Sequence, residues 1–438
     1  LSELGFGAAL VYEMYQPIAE DDEKKVCALL AYYKKIHRIA GTVILLIGVL
    51  LVPFLEFFIK GGCPPEINIY ILYAVYLFNT VITYYTFAYK ASLLRAHQRT
   101  DVINNVAAAV HIAAYSLQLL ILIKIKNYYA YIIVLPIFTI LNNFIAAYKA
   151  DRLYPQYQCR GELDKQDQIK IFSQVKALFG HKLGGVLVNS TDNIILSYSL
   201  GLTAVALYNN YYQIYAHVAG MADLLYTSAT AGIGNSIVLD SVEKNYKDFE
   251  DFTFLNTWII MWCSTCMLCL VQDFMVLWMG KEYLLPMNTV VLFVLSFYIK
   301  YIRKVVLTYK DAAGMWRPDR YKPVCEGIVN LVLNLILVKR MGVNGIVTGT
   351  VIAMGMIGLP WEAVVLFKGY FKRSAGEYFI KIIKMMAVSA MICVSTFWLC
   401  SLIPFNIYAR FILKLMICLA VPNILFVICF HRTKILRW

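Results

Sequence analysis

The side chains most able to do chemistry in this chain are polar residues inside long apolar stretches. In the stretch 177–199, Asn189, Asp192 and Asn193 recur at three- and four-residue spacing, so most of them share one helix face. A charge at mid-membrane costs about 2.5–3.5 kcal/mol on insertion scales, so it needs a compensating role. The set is either the wall of a hydrated cavity that binds substrate or a coupling ion, or an interhelical hydrogen-bond cluster.

A second polar stripe follows in the stretch 204–237. Asn209, Gln213 and His217 recur at four-residue spacing, so they could line a substrate pathway, and His217 could sense protons. The alternative for His217 is a histidine satisfied by contacts between helices. The tyrosines beside the stripe offer a flat apolar face and a hydroxyl, which suits sugar rings, but an aromatic belt at the membrane surface is also consistent with them.

A third set lies in the stretch 324–338, where Glu326, Asn330 and Asn334 stand four residues apart and form one line down a helix. Glu326 is near the predicted cytoplasmic end, where water could hydrate it. The two asparagines lie deeper and are candidates for the wall of an inner cavity. Arg303 could attract a pyrophosphate, although an ordinary cytoplasmic cation is the other interpretation.

The sequence shows no pattern typical of catalysis. Cys263, Cys266 and Cys269 have C-x-x-C-x-x-C spacing, but they lie in an apolar helix with no fourth ligand nearby, which favours small packing residues over a cluster site. No Gly-rich phosphate loop, zinc spacing or nucleophile elbow stands out, and no loop is long enough for a soluble domain. We therefore predict a protein that is not an enzyme and uses no cofactor or metal.

Composition determines the elements that must position these residues. The 438 residues are 60% hydrophobic and 15% charged, with a mean hydropathy of +0.64, whereas soluble chains average about 25% charged residues. The sequence predicts an all-α polytopic membrane protein with about twelve complete spans. They lie near 37–58, 69–89, 102–123, 128–148, 177–199, 204–237, 253–271, 289–309, 324–338, 344–367, 380–403 and 408–430.

The distribution of lysine and arginine predicts the orientation of these spans. Most of these residues fall in alternate loops, including 149–176, and the intervening loops hold few. The positive-inside rule places the basic loops in the cytoplasm. The net charge of +13 is then explained by topology and by contact with anionic membrane lipid, so no nucleic-acid partner is predicted.

An internal repeat predicts two halves. Tyr89-Lys90 and Tyr309-Lys310 each close an apolar stretch, and Gly-x-Gly at 5–7 and 232–234 precedes an acidic loop. The offset of about 220 residues spans an even number of helices, which indicates parallel repeats and a transporter architecture. The predicted divisions are an N-terminal bundle at 1–155, a cytoplasmic linker at 156–176, a C-terminal bundle at 177–370, and two last helices with a tail at 371–438.

Three passages carry a family resemblance: LSELGFG at 1–7, NSTDN at 189–193 and ALYNNY at 206–211. In order and spacing the chain resembles the polysaccharide-transporter branch of the multidrug/oligosaccharidyl-lipid/polysaccharide exporter superfamily, the Wzx-like O-antigen and capsule flippases. The resemblance implies a MATE-like fold of two six-helix bundles, related by a parallel pseudo-two-fold axis, plus two C-terminal helices. Relative to that pattern the first helix and part of the second are missing, so a truncated N-terminus is expected.

The resemblance also implies a function. The expected activity is translocation of an undecaprenyl-pyrophosphate-linked oligosaccharide across the bacterial inner membrane, by alternating access through a hydrated cleft between the bundles. Expected partners are this lipid-linked oligosaccharide, membrane lipid and other polysaccharide-assembly proteins. The alternatives are a multidrug or toxin antiporter of the same superfamily, a lipid II flippase, and a membrane polymerase of glycan assembly. The short external loops argue against the polymerase.

Overall fold

Helices form nearly all the secondary structure of the chain. The computed structural model describes residues 6–60, 66–315 and 318–431, and within helices it leaves the side chains at 8, 174, 176–190, 231 and 238 undescribed. No strand occurs in these described ranges. By contact clustering the chain forms two compact units, residues 1–183 and 184–438. The domain limits predicted from the sequence stay a prediction.

The helices of the first unit have apolar interiors, and several of them begin at a polar capping residue. Asp22, Asn68 and Asn127 cap three of them by accepting hydrogen bonds from backbone N–H groups of the first turn, as such residues do at helix starts. Its core lies among α1, α2 and α4, where Leu10 and Leu30 are buried. The helices are α1 (Phe6–Ala19), α2 (Glu23–Leu51), α3 (Ile69–Tyr85), α4 (Ala91–Ala96), α5 (Thr100–Lys124), α6 (Tyr128–Leu153) and α7 (Lys165–Leu200), the last of which continues into the second unit.

The second unit is organised around one long helix, α9, which packs against α8, α10, α11, α15 and α16. Two π-helical turns, Met354–Gly358 and Phe367–Phe371, flank the short helix α14. The helices are α8 (Leu202–Leu239), α9 (Val242–Trp278), α10 (Met287–Ile302), α11 (Lys304–Ala312), α12 (Lys322–Met341), α13 (Val343–Ala353), α14 (Leu359–Leu366), α15 (Gly376–Ser401) and α16 (Ile407–Phe430).

Each predicted span falls on one helix or on consecutive helical segments, as at 289–309, which crosses from α10 into α11. Fewer helices are apolar enough to be recognised as spans. Among the described residues, seven helices have the length and composition to cross a membrane, or eight if α3 and α4, bent by 50°, count as one. Two of the remaining helices do not meet these requirements. Helix α10 is short, with 16 residues, and α12 carries charged residues in both of its end turns. The chain is a multi-pass membrane protein, and the all-α polytopic fold predicted from composition is confirmed.

The two members of the predicted repeat share local chemistry. Tyr89 and Tyr309 are both buried, and the lysine after each forms an ion pair with an aspartate, Lys90 with Asp151 and Lys310 with Asp319. The partners come from different places, since Asp151 lies on α6 while Asp319 lies in the loop after α11. The parallel relation of the two halves remains a prediction.

Candidate functional site

The structure places Asp192 at the convergence of three helices of the second unit. Its side chain, on α7, is buried with the residue 8% exposed. One carboxylate oxygen, Oδ2, accepts a hydrogen bond of 3.1 Å from the hydroxyl of Tyr208 on α8. The other, Oδ1, accepts one of 2.8 Å from Nδ2 of Asn334 on α12. No lysine or arginine among the described residues pairs with it, so its negative charge is held by neutral donors alone.

The asparagine line of α12 extends this network. Asn330 and Asn334 are both fully buried, and Asn334 Nδ2 also donates to Asn330 Oδ1 at 3.1 Å. Asn330 Nδ2 in turn donates to Thr350 Oγ1 on α13 at 3.0 Å. The buried side-chain carbonyl oxygen of Asn334, Oδ1, accepts no hydrogen bond from the described residues. A buried acceptor left in this way is costly unless water or an ion satisfies it.

A small cavity lies beside the carboxylate. Its volume is about 40 Å³, and its lining includes Asp192, Tyr208, Thr350 and one cationic residue, Lys300. A single water occupies about 10–15 Å³ on this measure, so the cavity can hold a few waters or one partly hydrated cation. It is too small for a sugar ring. The cavity therefore has the size of a small-cation site and the oxygen atoms that could serve as its ligands, and all of its lining residues belong to the second unit.

The close approach of α12 and α13 depends on a glycine. A Cβ added at Gly349 would lie 2.1 Å from Oδ1 of Asn334. The Asn334 side chain cannot easily move away, because its Nδ2 group donates hydrogen bonds to Asp192 and Asn330. We expect Gly349→Ala to lower the free energy of unfolding by about 1–3 kcal/mol, the usual effect of overpacking, measured by denaturant titration in mixed micelles. Gly355→Ala is the matched control, since its Cβ would meet only Ile299 Cδ1 at 3.8 Å. Equal stability of the two variants would contradict this packing.

The other residues predicted from the sequence do not join this network. Asn193 is exposed although it adjoins the buried aspartate, and the side chain of Asn189 lies outside the described residues. On α8, Asn209 is half-buried, while Gln213 and His217 are exposed. The His217 Nδ1 atom lies 2.7 Å from the backbone carbonyl of Gln213, within its own helix. A role for these residues in a substrate pathway stays a prediction.

The tyrosines of α8 serve a different purpose from either interpretation made from the sequence. Tyr208, Tyr211 and Tyr215 are buried in the core of the second unit. Tyr208 packs against Phe293 with ring centroids 5.3 Å apart, and Tyr215 meets Phe297 edge-on at 5.8 Å. Their spacing follows the face of α8 opposite to the exposed stripe. These three rings are core residues, and only the hydroxyl of Tyr208 reaches the aspartate.

Two contributors to the site escaped the sequence-based prediction. Tyr208 is one of several tyrosines beside the α8 stripe, and Thr350 is a single hydroxyl in an apolar stretch, so neither stands out in the sequence. The four-residue line of asparagines on α12 signalled a buried polar face. Nothing in the spacing of residues on α8 or α13 showed which hydroxyls would meet it, because that depends on how the helices pack.

A second polar cluster, made wholly of charged groups, is buried in the same unit. Arg303 donates to Glu326 at 2.7 Å from Nη1 and at 3.2 Å from Nη2, and to Glu362 at 2.9 Å from Nε and at 2.8 Å from Nη2. Lys322 pairs with both carboxylates. The hydrated Glu326 and the ordinary cytoplasmic Arg303 considered from the sequence are therefore wrong, because both residues are buried. A Cβ at Gly358 would lie 2.2 Å from Nη1 of the guanidinium, so this glycine makes room for the cluster.

Comparison with known proteins identifies the family. The family model described as "Polysaccharide biosynthesis protein" matches residues 1–230, more than half of the chain. The chain belongs to this family. The matched region contains Asp192 and Tyr208 but not the asparagines of α12. A comparison with curated protein sequences gives no significant match.

Solved structures show the fold of this member of the polysaccharide biosynthesis protein family. A structure titled as the lipid II flippase MurJ in an inward closed conformation is similar with a TM-score of 0.69 and 15% identity, over 97% of this chain and 89% of that one. An inward-facing multidrug resistance MATE family transporter gives a TM-score of 0.62 at 12% identity, over 82% and 85% of the two chains. A mutant of the Vibrio cholerae MATE transporter VcmN gives 0.56 at 14%, over 84% and 86%. The predicted MATE-like fold is confirmed.

Proposed function

We propose that this protein is a flippase that moves an undecaprenyl-pyrophosphate-linked oligosaccharide across the bacterial cytoplasmic membrane by alternating access. The observation that supports this most directly is the match to the polysaccharide biosynthesis family over residues 1–230. The similar structure of the lipid II flippase MurJ adds support, since that protein flips a lipid. Sugar hydroxyls and a pyrophosphate cross hydrocarbon only with their hydrogen bonds satisfied, which a transporter provides.

We further propose that a small cation bound at Asp192 drives the transport cycle. The buried carboxylate forms no ion pair with a lysine or arginine of the described residues, Lys300 being a neighbour in the cavity wall, and the oxygens of Asn334 and Thr350 lie in the same network. Carboxylate, amide carbonyl and hydroxyl oxygens are the ligands that hard cations prefer. The cavity of about 40 Å³ excludes the sugar. We therefore assign this network to ion coupling, and the glycan head group binds elsewhere in the protein.

The experiment uses purified protein in proteoliposomes with a fluorescent undecaprenyl-pyrophosphate oligosaccharide. Translocation is followed by access of a membrane-impermeant glycosidase to the label. We expect movement above that of protein-free vesicles, accelerated by an imposed sodium gradient relative to a matched potassium gradient. No movement of the lipid-linked glycan, together with export of amphipathic cations by the same vesicles, would replace the flippase by a drug antiporter. If the glycan moves at a rate that no cation or proton gradient changes, the flippase proposal stands and the ion-coupling proposal for Asp192 is contradicted.

A further inference from the structure

Four cysteines from three helices gather in the interior of the second unit. The sulfurs of Cys269 on α9, Cys400 on α15 and Cys418 on α16 all lie within 4.8 Å of one another, and all three residues are buried. Cys266, one turn before Cys269, is partly buried and packs against these three residues. The sequence motif on α9 supplied only half of this cluster. The other half comes from two helices more than 120 residues further along the chain.

The helices that carry the cysteines are held in register by other contacts. Trp262 Nε1 donates to the backbone carbonyl of Cys418 at 2.9 Å, and Trp258 Nε1 donates to Asn423 Oδ1 at 2.8 Å. Both bonds join α9 to α16. The positions of the sulfurs therefore follow from a packed frame, and the thiols are preorganised as a metal site requires.

An excess of positive charge lies beside the thiols. Asp273 is one turn beyond Cys269 on α9, and its carboxylate binds both Arg410 and Lys414 of α16 at 2.7 Å. In the described part of the chain, neither cation has a second carboxylate, and Nε of Arg410 finds no acceptor. Arg410, Lys414 and Cys418 stand four residues apart on one face of the helix. Arg410 is partly exposed and Lys414 mostly buried, so the three charged groups carry one net positive charge on the two helices that hold Cys269 and Cys418.

We propose that this cluster binds a thiophilic divalent cation, Zn²⁺ being the ordinary example. Zinc–sulfur bonds of about 2.3 Å place neighbouring sulfurs about 3.8 Å apart, which the three thiols reach by small side-chain movements. On binding, Cys269, Cys400 and Cys418 each release one proton to solvent and become thiolates. Three thiolates and a divalent ion carry one net negative charge, which the one uncompensated positive charge of the aspartate–arginine–lysine group neutralises.

The charge balance distinguishes this proposal from simple packing of small side chains. A neutral assembly avoids the cost of an isolated charge inside a membrane protein, whereas packing alone gives no reason for two cations around one carboxylate. Cys266 packs beside the three ligands and stays outside the proposed site. The ion would join α15 and α16 to α9 through three sulfur ligands and leave its fourth position open to water.

The test uses full-length protein in detergent, reduced and freed of metal, and titrated with Cd²⁺ as a spectroscopic probe. We expect saturable thiolate-to-cadmium charge-transfer absorption with one equivalent of Cd²⁺ per chain, displaced by Zn²⁺. Cys400→Ser and Cys418→Ser should each weaken binding by at least about a hundredfold, more than the loss of an outer-shell group. Cys429→Ser, on the same helix as Cys418 but exposed, should bind as the unaltered protein does.

Alkylation mapping covers the case in which a serine variant fails to fold. In the unaltered protein, Cd²⁺ should protect Cys269, Cys400 and Cys418 from a thiol reagent during partial thermal opening and leave Cys429 reactive, and it should raise the melting temperature. Absence of the absorption band together with unprotected thiols would overturn the proposal. A band that survives in Cys400→Ser, or one that Cys429→Ser removes, would overturn it equally.

Discussion

Asp192→Asn is expected to abolish the sodium dependence of transport and to slow translocation of the lipid-linked glycan in the gradient by about 5–150-fold, the range of coupling energies of about 1–3 kcal/mol. The substitution removes the charge but keeps the shape. The asparagine carbonyl can still accept a hydrogen bond from Asn334 Nδ2, and the Tyr208 hydroxyl can reverse to accept one. The helices should therefore stay packed, while the cation loses its only charged ligand. Transport by reconstituted protein in sodium and potassium gradients measures the effect.

The matched control removes a carboxylate of the same charge from the surface. Glu243 is 77% exposed and lies 3.8 Å from Arg373, so Glu243→Gln should leave both the rate and its sodium dependence unchanged. A melting temperature for Asp192→Asn close to that of the unaltered protein would show that folding is intact. If Asp192→Asn retains full sodium-driven transport, the carboxylate is a packing element and the ion site lies elsewhere.

Glu362→Gln should be among the most destabilising single substitutions in the chain. Glu362 is fully buried and shared between Arg303 and Lys322. Neutralising it leaves two cations against the one carboxylate of Glu326. Removing one partner of a buried ion pair costs about 3–5 kcal/mol, because the remaining charge is uncompensated. The free energy of unfolding, measured by denaturant titration in mixed micelles, should fall by that amount.

Two comparisons make this expectation specific. Glu250→Gln breaks a partly exposed pair with Lys381 at 2.9 Å, and an ion pair of that kind contributes about 0–1 kcal/mol. The double variant Lys322→Met with Glu362→Gln restores charge balance and should recover part of the lost stability, which a double-mutant cycle reports as a coupling energy. Equal losses for Glu362→Gln and Glu250→Gln would mean that water reaches the cluster and screens it.

Composition and periodicity were enough to predict the class of the protein. An apolar content of 60% leaves few options besides a bundle of membrane helices. Asn330 and Asn334, which the sequence places four residues apart on one helix face, are both buried, and their role in a cavity wall stays a prediction. Asp192 was identified for the same reason, since an unpaired carboxylate in an apolar stretch needs partners. These predictions depend on local spacing, which one helix determines by itself.

What the sequence could not provide was the packing of one helix on another. Asn193 follows Asp192 in the chain, but a helix turns by about 100° per residue, and only packing decides which of the two is buried. Glu326 and Arg303 were taken for surface charges because each sits near the end of an apolar stretch. Arg303 binds both Glu326 and Glu362. Glu362 lies far along the chain between two π-helical turns, and no spacing rule connects the three residues.

The π-helical turn Met354–Gly358 has a consequence for insertions and deletions. A turn of this kind holds one residue more than regular α-helix, and it lies between Thr350, which accepts from Asn330, and Glu362, which binds Arg303. Deleting one residue here would leave an unbroken helix, yet it would rotate everything after the turn by about 100° and carry Glu362 away from its cations. The extra residue of the π-helical turn thus fixes the direction in which Glu362 points relative to Thr350. A change in length at this place is therefore far more disruptive than a change in residue type.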